Sequence, residues 1–237
     1  MKYKRILLKL SGESLMGNNE FGISPEAVNN YINEIIEIRK QGIQVGIVVG
    51  GGNFYRGILA KDTGITKVSA DKMGMLATIM NAIALRDVFE KSGVKARVQT
   101  AIMMPQFAEI FTQESAMRHL NDGKIVIFAA GTGNPLFTTD SAAAIKAVEI
   151  EANILIKATN VDGVYDKAPK ENPDAKMFDA ISYNECIDRK LKVMDLSAFV
   201  LCQENNLPIA VLNVQKKGNL LKFLSGEKIG TIVQANV

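Results

Sequence analysis

Tryptophan is absent from the 237 residues, histidine occurs once at His119, and cysteine occurs twice, at Cys186 and Cys202. A single histidine excludes a His-based nucleophilic triad and a multi-histidine metal centre. Two cysteines without metal-type spacing exclude a disulfide framework, and a reducing cytoplasm is the expected location. Aromatic residues make up only 6% of the chain while 47% is hydrophobic, so aliphatic and methionine side chains must fill the core. Neither sign of charge dominates. Lys plus Arg number 28 against 25 Asp plus Glu, which leaves no concentrated basic face for nucleic acid. Long apolar runs are missing too, so no membrane partner is expected. The start, Lys2-Tyr3-Lys4-Arg5 and then Ile6-Leu7-Leu8, has the charge pattern of an export signal. Lys9 breaks the apolar run and Ser11-Gly12-Glu13-Ser14 follows at once, so export is not expected. Three nucleotide motifs are also missing. There is no G-x-x-x-x-G-K-[ST], no H-R-D with D-F-G, and Leu136 stands where a dinucleotide fingerprint beginning at Gly131 needs glycine.

What is present is an alternation of short apolar runs and amphipathic stretches. Strands are expected at Ile6–Leu10, Gln44–Val49, Ala96–Thr100, Lys124–Ala129, Asn153–Ile156, Ile209–Leu212 and Thr231–Val233. Ser24-Pro25-Glu26 sets a capping residue, a proline at the first helical position and an acid in the first turn, starting a helix that Gln41-Gly42 stops. Met73, Leu76, Ala77, Met80, Ile83, Ala84 and Val88 recur at three and four residues inside a helix expected over 70–91. Further helices are expected over 142–150, 183–189 and 196–205, with a short one after Gly218. Residues 159–178, rich in Asp, Asn, Pro and Lys, read as a loop or hairpin. The class is α/β, a mainly parallel sheet covered on both faces. One domain spans 1–237.

Four loops carry the chemistry, and ligands in such sheets bind at the carboxyl ends of strands. Lys9-Leu10-Ser11-Gly12 sets an ammonium beside open backbone N–H groups, a combination suited to polyphosphate. Gly50-Gly51-Gly52-Asn53-Phe54-Tyr55-Arg56-Gly57 lets a ligand approach the backbone closely and adds a guanidinium that can grip a phosphate with two bonds. Gly131-Thr132-Gly133-Asn134-Pro135-Leu136-Phe137-Thr138-Thr139-Asp140 supplies hydroxyls, an amide and a carboxylate. Thr139 or Asp140 is expected to cap the following helix, while Thr132 and Asn134 suit a base edge. Lys157-Ala158-Thr159-Asn160 follows another buried strand, so Lys9 and Lys157 are placed to face each other across a phosphoryl group, with Asp140 holding them or organising a metal. The plainer readings go elsewhere. His119 is structural or exposed, Cys186 and Cys202 are incidental thiols, Met73, Met75 and Met80 belong to a core or a subunit contact, and Lys2, Lys4 and Arg5 form a solvated strand edge.

Together these segments resemble the bacterial-type uridylate (UMP) kinases of the amino-acid kinase superfamily. The specific pieces are Lys9-Leu10-Ser11-Gly12-Glu13, Gly50-Gly51-Gly52-Asn53 with Arg56-Gly57, Asp71-Lys72-Met73-Gly74-Met75-Leu76-Ala77-Thr78, Gly131-Thr132-Gly133-Asn134-Pro135 with Thr138-Thr139-Asp140, Lys157-Ala158-Thr159 with Val161-Asp162-Gly163-Val164-Tyr165, and Leu191 to Leu196. The Asp71 and Gly131 segments point to the UMP branch. The resemblance implies a three-layer αβα sandwich and a homohexamer. The acceptor-binding part would cover roughly 1–150 and the ATP-binding part roughly 151–237. It implies transfer from ATP, carrying Mg²⁺, to UMP in pyrimidine nucleotide biosynthesis. Lys9, Leu10, Ser11, Gly12, Gly52, Arg56, Thr159, Asn160 and Tyr165 would meet ATP. Gly51, Asp71, Thr132, Gly133, Asn134, Pro135, Leu136, Phe137, Thr138 and Thr139 would meet UMP. Lys9, Lys157, Asp140 and Arg56 would be catalytic, and no protein metal ligand is expected. Gly17, Asn18, Asn19, Glu20, Phe21 and Gly22 fall where relatives tie activity to GTP, and UTP would inhibit. Ala168 departs from the family pattern, which often has Asp there, so a carboxylate contact to the nucleotide is either missing or supplied by Asp166. The competing readings are a superfamily kinase for a carboxylate or carbamate acceptor, and a nucleotide-binding sensor without turnover.

Overall fold

The computed structural model describes residues 2–55, 64–169, 171–191 and 193–235. Among them a nine-stranded sheet runs in the order β4-β3-β5-β2-β1-β6-β8-β9-β7. Its strands are β1 (Arg5–Leu10), β2 (Gln44–Val49), β3 (Ala96–Thr100), β4 (Glu109–Ile110), β5 (Ile125–Ala129), β6 (Ile154–Thr159), β7 (Ala180–Ser182), β8 (Ile209–Asn213) and β9 (Thr231–Gln234). Every neighbouring pair is parallel except β8 with β9. The helices are α1 (Gly12–Met16), α2 (Pro25–Lys40), α3 (Lys67–Lys91), α4 (Gln113–Asn121), α5 (Thr139–Glu149), α6 (Tyr183–Asp188), α7 (Leu196–Glu204) and α8 (Asn219–Leu224).

The period of two along each strand sorts side chains between two cores. Ile6, Leu8 and Leu10 of β1, with Ile154 and Ile156 of β6, face one core together with Val28, Ile32, Ile35 and Ile38 of α2. Leu7 and Leu155 face the other, with Ala143, Ala144 and Ala147 of α5 and Phe199 of α7. The result is the expected αβα sandwich. Parity also decides the site. Lys9 lies two residues after Leu7 and Lys157 two after Leu155, so both lysines emerge on the face covered by α5. In the β1–β6 register they sit directly across from each other.

Local rules explain most helix starts. Ser24 accepts from the Ala27 N–H ahead of Pro25, and Thr66 accepts from the Ser69 N–H, which starts α3 at Lys67 rather than near Ala70. Neither Thr139 nor Asp140 caps α5. Thr138 does, accepting from the Asp140 N–H at 3.1 Å, which releases the Asp140 carboxylate for other contacts. The 159–178 stretch closes as a hairpin with an antiparallel bridge between Tyr165 and Met177. Arg5 is not on a solvated edge, because β1 lies between β2 and β6. Its guanidinium donates to Gln44 Oε1 and to the Ile150 carbonyl, each at 2.6 Å. His119 is buried and its Nε2 lies 2.9 Å from Glu109 Oε2, a structural tie between α4 and β4. Cys186 and Cys202 are buried free thiols, pushed up to about 11 and about 12 by burial. Of the three methionines, Met75 is in the core and Met73 and Met80 are exposed. No helix of the described residues is long and apolar enough to cross a membrane.

Gly46 lies where β2 meets α5, and a Cβ there would come within 2.8 Å of Ile150 Cδ1 and 3.1 Å of Phe128 Cε2. Gly46→Val should therefore destabilise the chain by about 1–3 kcal/mol through overpacking, read as a lower urea midpoint at unchanged slope. An unchanged midpoint contradicts this packing.

Candidate active site

Three loops meet at the carboxyl ends of β1, β2 and β5, and α3 is what gathers them. The first contact is backbone against backbone. A Cβ at Gly12 would lie 2.6 Å from Gly52 N and 2.7 Å from both Gly50 O and Asn53 Oδ1, so only glycine allows this approach. Gly50 N–H also donates to the Leu10 carbonyl. The Leu10 side chain is wholly in the core, leaving only its backbone near the loop. Gly51 presses on α3, where a Cβ would sit 2.7 Å from Gly74 O. Asn81 of α3 donates to the Gly50 carbonyl at 2.7 Å and is paired with Asn53 in a buried amide cluster.

The same helix holds the third loop. Thr78 Oγ1 accepts from Ala130 N–H at 2.7 Å, and Asp71 Oδ2 accepts from Leu136 N–H at 2.8 Å. Ala130 and Leu136 both have positive φ, 64° and 74°. Each is a strained position for a residue with a side chain, held by an α3 contact. Thr132 and Asn134 hydrogen-bond each other inside the loop. Leu136 and Phe137 are exposed.

At the base of these loops Asp140 lies between the two lysines. Lys9 Nζ is 2.8 Å from Oδ1 and Lys157 Nζ is 2.7 Å from Oδ2. Lys9 is 9% exposed and Asp140 is 8% exposed. Burial pushes the Asp140 carboxyl up, but the two ammoniums outweigh it and hold the group below the usual carboxylate range. Burial also lowers Lys157, more than the Asp140 charge raises it. Lys157 donates to the Val193 carbonyl as well.

Along the far side runs a cleft of about 630 Å³ lined by Lys157, Thr159, Asn160, Tyr165, Asp166 and Ala168, among others. Asp166 faces this cleft while its Oδ1 accepts from Lys176 N–H at 2.8 Å. Gly17 to Gly22 lies beside the glycine loop, since Gly22 N–H donates to the Asn53 carbonyl and Asn53 Nδ2 donates to Gly22 O. Phe21 there is 75% exposed. Arg56 lies outside the described residues. Asp195, within the Leu191–Leu196 segment, carries no sign of a role in the sequence alone. It accepts from the Thr138 hydroxyl, linking the start of α7 to the cap of α5. Only the folded chain shows this contact, because the two residues are 57 positions apart.

A parallel sheet with two lysines at adjacent strand ends, a shared carboxylate and glycine loops around them defines a small-molecule phosphotransferase. The comparisons agree. The model of the amino acid kinase family matches residues 4–213. A uridylate kinase of Xanthomonas oryzae pv. oryzae is 50% identical over 234 residues, covering 99% of this chain and 98% of the relative. A UMP kinase structure from Bacillus anthracis superposes with a TM-score of 0.97 at 37% identity, over 100% of this chain and 98% of that one. One from Ureaplasma parvum gives 0.93 at 39% identity, over 99% and 100%. The chain belongs to the amino acid kinase family, within its uridylate kinase branch.

Asp140→Asn removes the charge that keeps Lys157 protonated. The lysine is already lowered by burial, so its ammonium should deprotonate at a lower pH still in the variant than in the parent. Nitrogen NMR of the lysine side chains follows this directly, and an unmoved or raised midpoint contradicts the arrangement.

Proposed function

We propose that the chain transfers the γ-phosphoryl group of ATP to the phosphate of UMP, forming UDP for pyrimidine nucleotide biosynthesis. The observation that carries the reading is the Lys9–Asp140–Lys157 triad beneath the loops. The acceptor is a phosphate whose second pKa is about 6, so at neutral pH it is already mostly dianionic and no general base is needed. That suits a site whose central carboxylate is committed to two ammoniums. The obstacle is repulsion between anions, and the remedy is positioning with positive charge around the transferring group. Lys9, Lys157 and the loop N–H groups supply it from fixed positions, so little reorganisation is needed as the transition state forms. Arg56, by its place in the sequence, adds a further cation.

In this reading Lys9, the Leu10 backbone, Ser11, Gly12 and Gly52 meet the ATP phosphates, and Thr159, Asn160 and Tyr165 line the nucleoside cleft. Gly51, Asp71 and residues 132–139 hold UMP, with Thr139 near its phosphate. The acceptor half is residues 1–150 and the donor half 151–237. Asp166 takes the place of the carboxylate that Ala168 cannot offer. No group of three or more His, Cys, Asp or Glu suited to a metal occurs among the described residues. Both Asp140 oxygens lie against lysines, and in this reading Mg²⁺ arrives with the triphosphate. The exposed apolar residues of α3, Val68, Met73, Leu76 and Met80, support self-association, read here as the homohexamer. GTP activation through residues 17–22 is supported by the Asn53 bonds that join this segment to the glycine loop. UTP inhibition and a cytoplasmic location complete the reading.

Incubation of the chain with ATP and UMP should yield UDP, and acetylated glutamate should give no product. UDP formation that is undetectable, or slower than phosphorylation of a carboxylate acceptor, overturns the assignment. Lys9→Ala or Lys157→Ala should each lower kcat by roughly 10²-fold, as loss of one preorganised donor does elsewhere. Near-parental turnover in both removes the lysines from the mechanism. Asp71→Asn should act chiefly on the KM for UMP, and a KM that does not move argues against the acceptor loop anchored there.

A further inference from the structure

Asp195 has no task in the transfer described above. It stands at the N-cap of α7 with the extended backbone of a cap, φ −64° and ψ 147°, yet its side chain makes no cap bond. Thr112 and Ser182, at the same position of α4 and α6, each accept from an N–H of their own helix. Aspartate is among the best caps, so a carboxylate turned away from its own helix gives up stability there. This one is directed across the site. It accepts from the Thr138 hydroxyl, 57 positions earlier in the chain.

Two lines of contact lead from this segment to the lysine pair. Thr138 Oγ1 also accepts from Asp140 N–H at 3.1 Å, so the hydroxyl that caps α5 is itself held by Asp195. The Asp140 carboxylate then lies 2.7 Å from Lys157 Nζ. Two residues before Asp195, the Val193 carbonyl accepts from that same ammonium. Residues 193–195 therefore hold the Lys157–Asp140 contact from both ends. Charge adds to geometry. Burial lowers Lys157, the Asp140 carboxylate raises it, the Lys9 ammonium lowers it, and the Asp195 carboxylate raises it again. Lys157 thus feels one cation, from β1, and two anions, from the starts of α5 and α7. Lys167 and Arg189, which also line the cleft, are closed on Asp174 and Glu185 at 2.6 Å each.

We propose that Asp195 is a positioning residue for phosphoryl transfer, which holds Lys157 and Asp140 in register through Thr138 and the adjoining Val193 carbonyl; the inference rests on the uridylate kinase reading above. It acts through the lysine and the aspartate rather than on the phosphates. Leu191 and Val193 line the cleft beside Lys157, whereas Thr138 belongs to the loop assigned to the acceptor. Asp195 therefore ties the two halves of the site at the point where the phosphoryl group crosses. A cation fixed in this way needs no rearrangement as charge develops on the transferring group. The carboxylate serves that geometry in place of the helix it begins.

Asp195→Asn keeps the shape and an oxygen that can accept from Thr138, and removes only the charge. In this variant the Lys157 ammonium should deprotonate at a lower pH, read by nitrogen NMR of the lysine side chains. The alkaline limb of kcat should move the same way, since the protonated lysine is the working form. At neutral pH kcat should fall roughly tenfold, the scale of one bond to a charged group, with the KM values for ATP and UMP close to parental. Asp195→Ser also lacks the charge but offers α7 the cap bond it now forgoes, so it should fold and show the same two changes. A role confined to fixing the start of α5 would leave the lysine midpoint and kcat of folded Asp195→Asn where they are in the parent. Either result, an unmoved midpoint or a parental kcat, overturns this inference. Where Asp195→Asn does not fold, the same readings on Asp195→Ser decide. A parent that makes no UDP overturns the reading beneath it, while the Lys157 midpoint still reports on the contact.

Discussion

One carboxylate balances two lysines at the centre of this molecule, and the surrounding architecture serves that contact. Lys9 and Lys157 are neighbours in the sheet and share a face, so without Asp140 two desolvated ammoniums would confront each other. Burying an unbalanced charge is costly, and removing one member of such a group usually costs more than the intact group contributes. The Asp140 carboxylate is thus shared by two ammoniums in a fixed geometry, and the Asp195 carboxylate also acts on Lys157.

Asp140 can serve because another residue does the capping. Had the carboxylate bonded the first N–H groups of α5, it would have pointed away from the sheet. Thr138 takes that task and also donates to Asp195, so the start of α5 is fixed from two directions. On the opposite face α3 does comparable work. Asp71, Thr78 and Asn81 each fasten a different loop segment by a side chain facing backbone groups. One long helix therefore fastens both the Gly131–Asp140 loop and the glycine loop.

Much of this was visible in the residues. The alternation of apolar runs gave the parallel sheet, because strands buried on both faces need continuous aliphatic sequence. The lysines at strand ends and the three glycine segments pointed to a phosphate site, since few other ligands call for that combination. What stayed hidden was tertiary. β4 and β7, of two and three residues, are too short to show a period. The burial of Arg5 and His119 depends on partners far along the chain, Gln44 and Ile150 for one and Glu109 for the other. The choice among Thr138, Thr139 and Asp140 as cap could not be read from composition, because all three are competent caps. It is settled by the pull of the lysines on Asp140. Asp195 gave no sign in sequence, since an aspartate at a helix start normally serves as its cap.

The single reversal of strand direction bears on when the cleft beside Lys157 becomes whole. β9 inserts between β8 and β7, so the sheet on that side waits for residues near the end of the chain. Thr231 at the start of β9 accepts from the Val164 N–H and donates to the Phe178 carbonyl, clasping both arms of the hairpin over the cleft. Gly163 is pressed so close that a Cβ there would lie 2.5 Å from the Thr231 hydroxyl oxygen. During synthesis on the ribosome, the lysine pair, the glycine loops and most of the sheet emerge well before this clasp. A nascent chain therefore has the strands bearing Lys9 and Lys157 well before β9 is available to tie Val164 and Phe178 together beside the cleft.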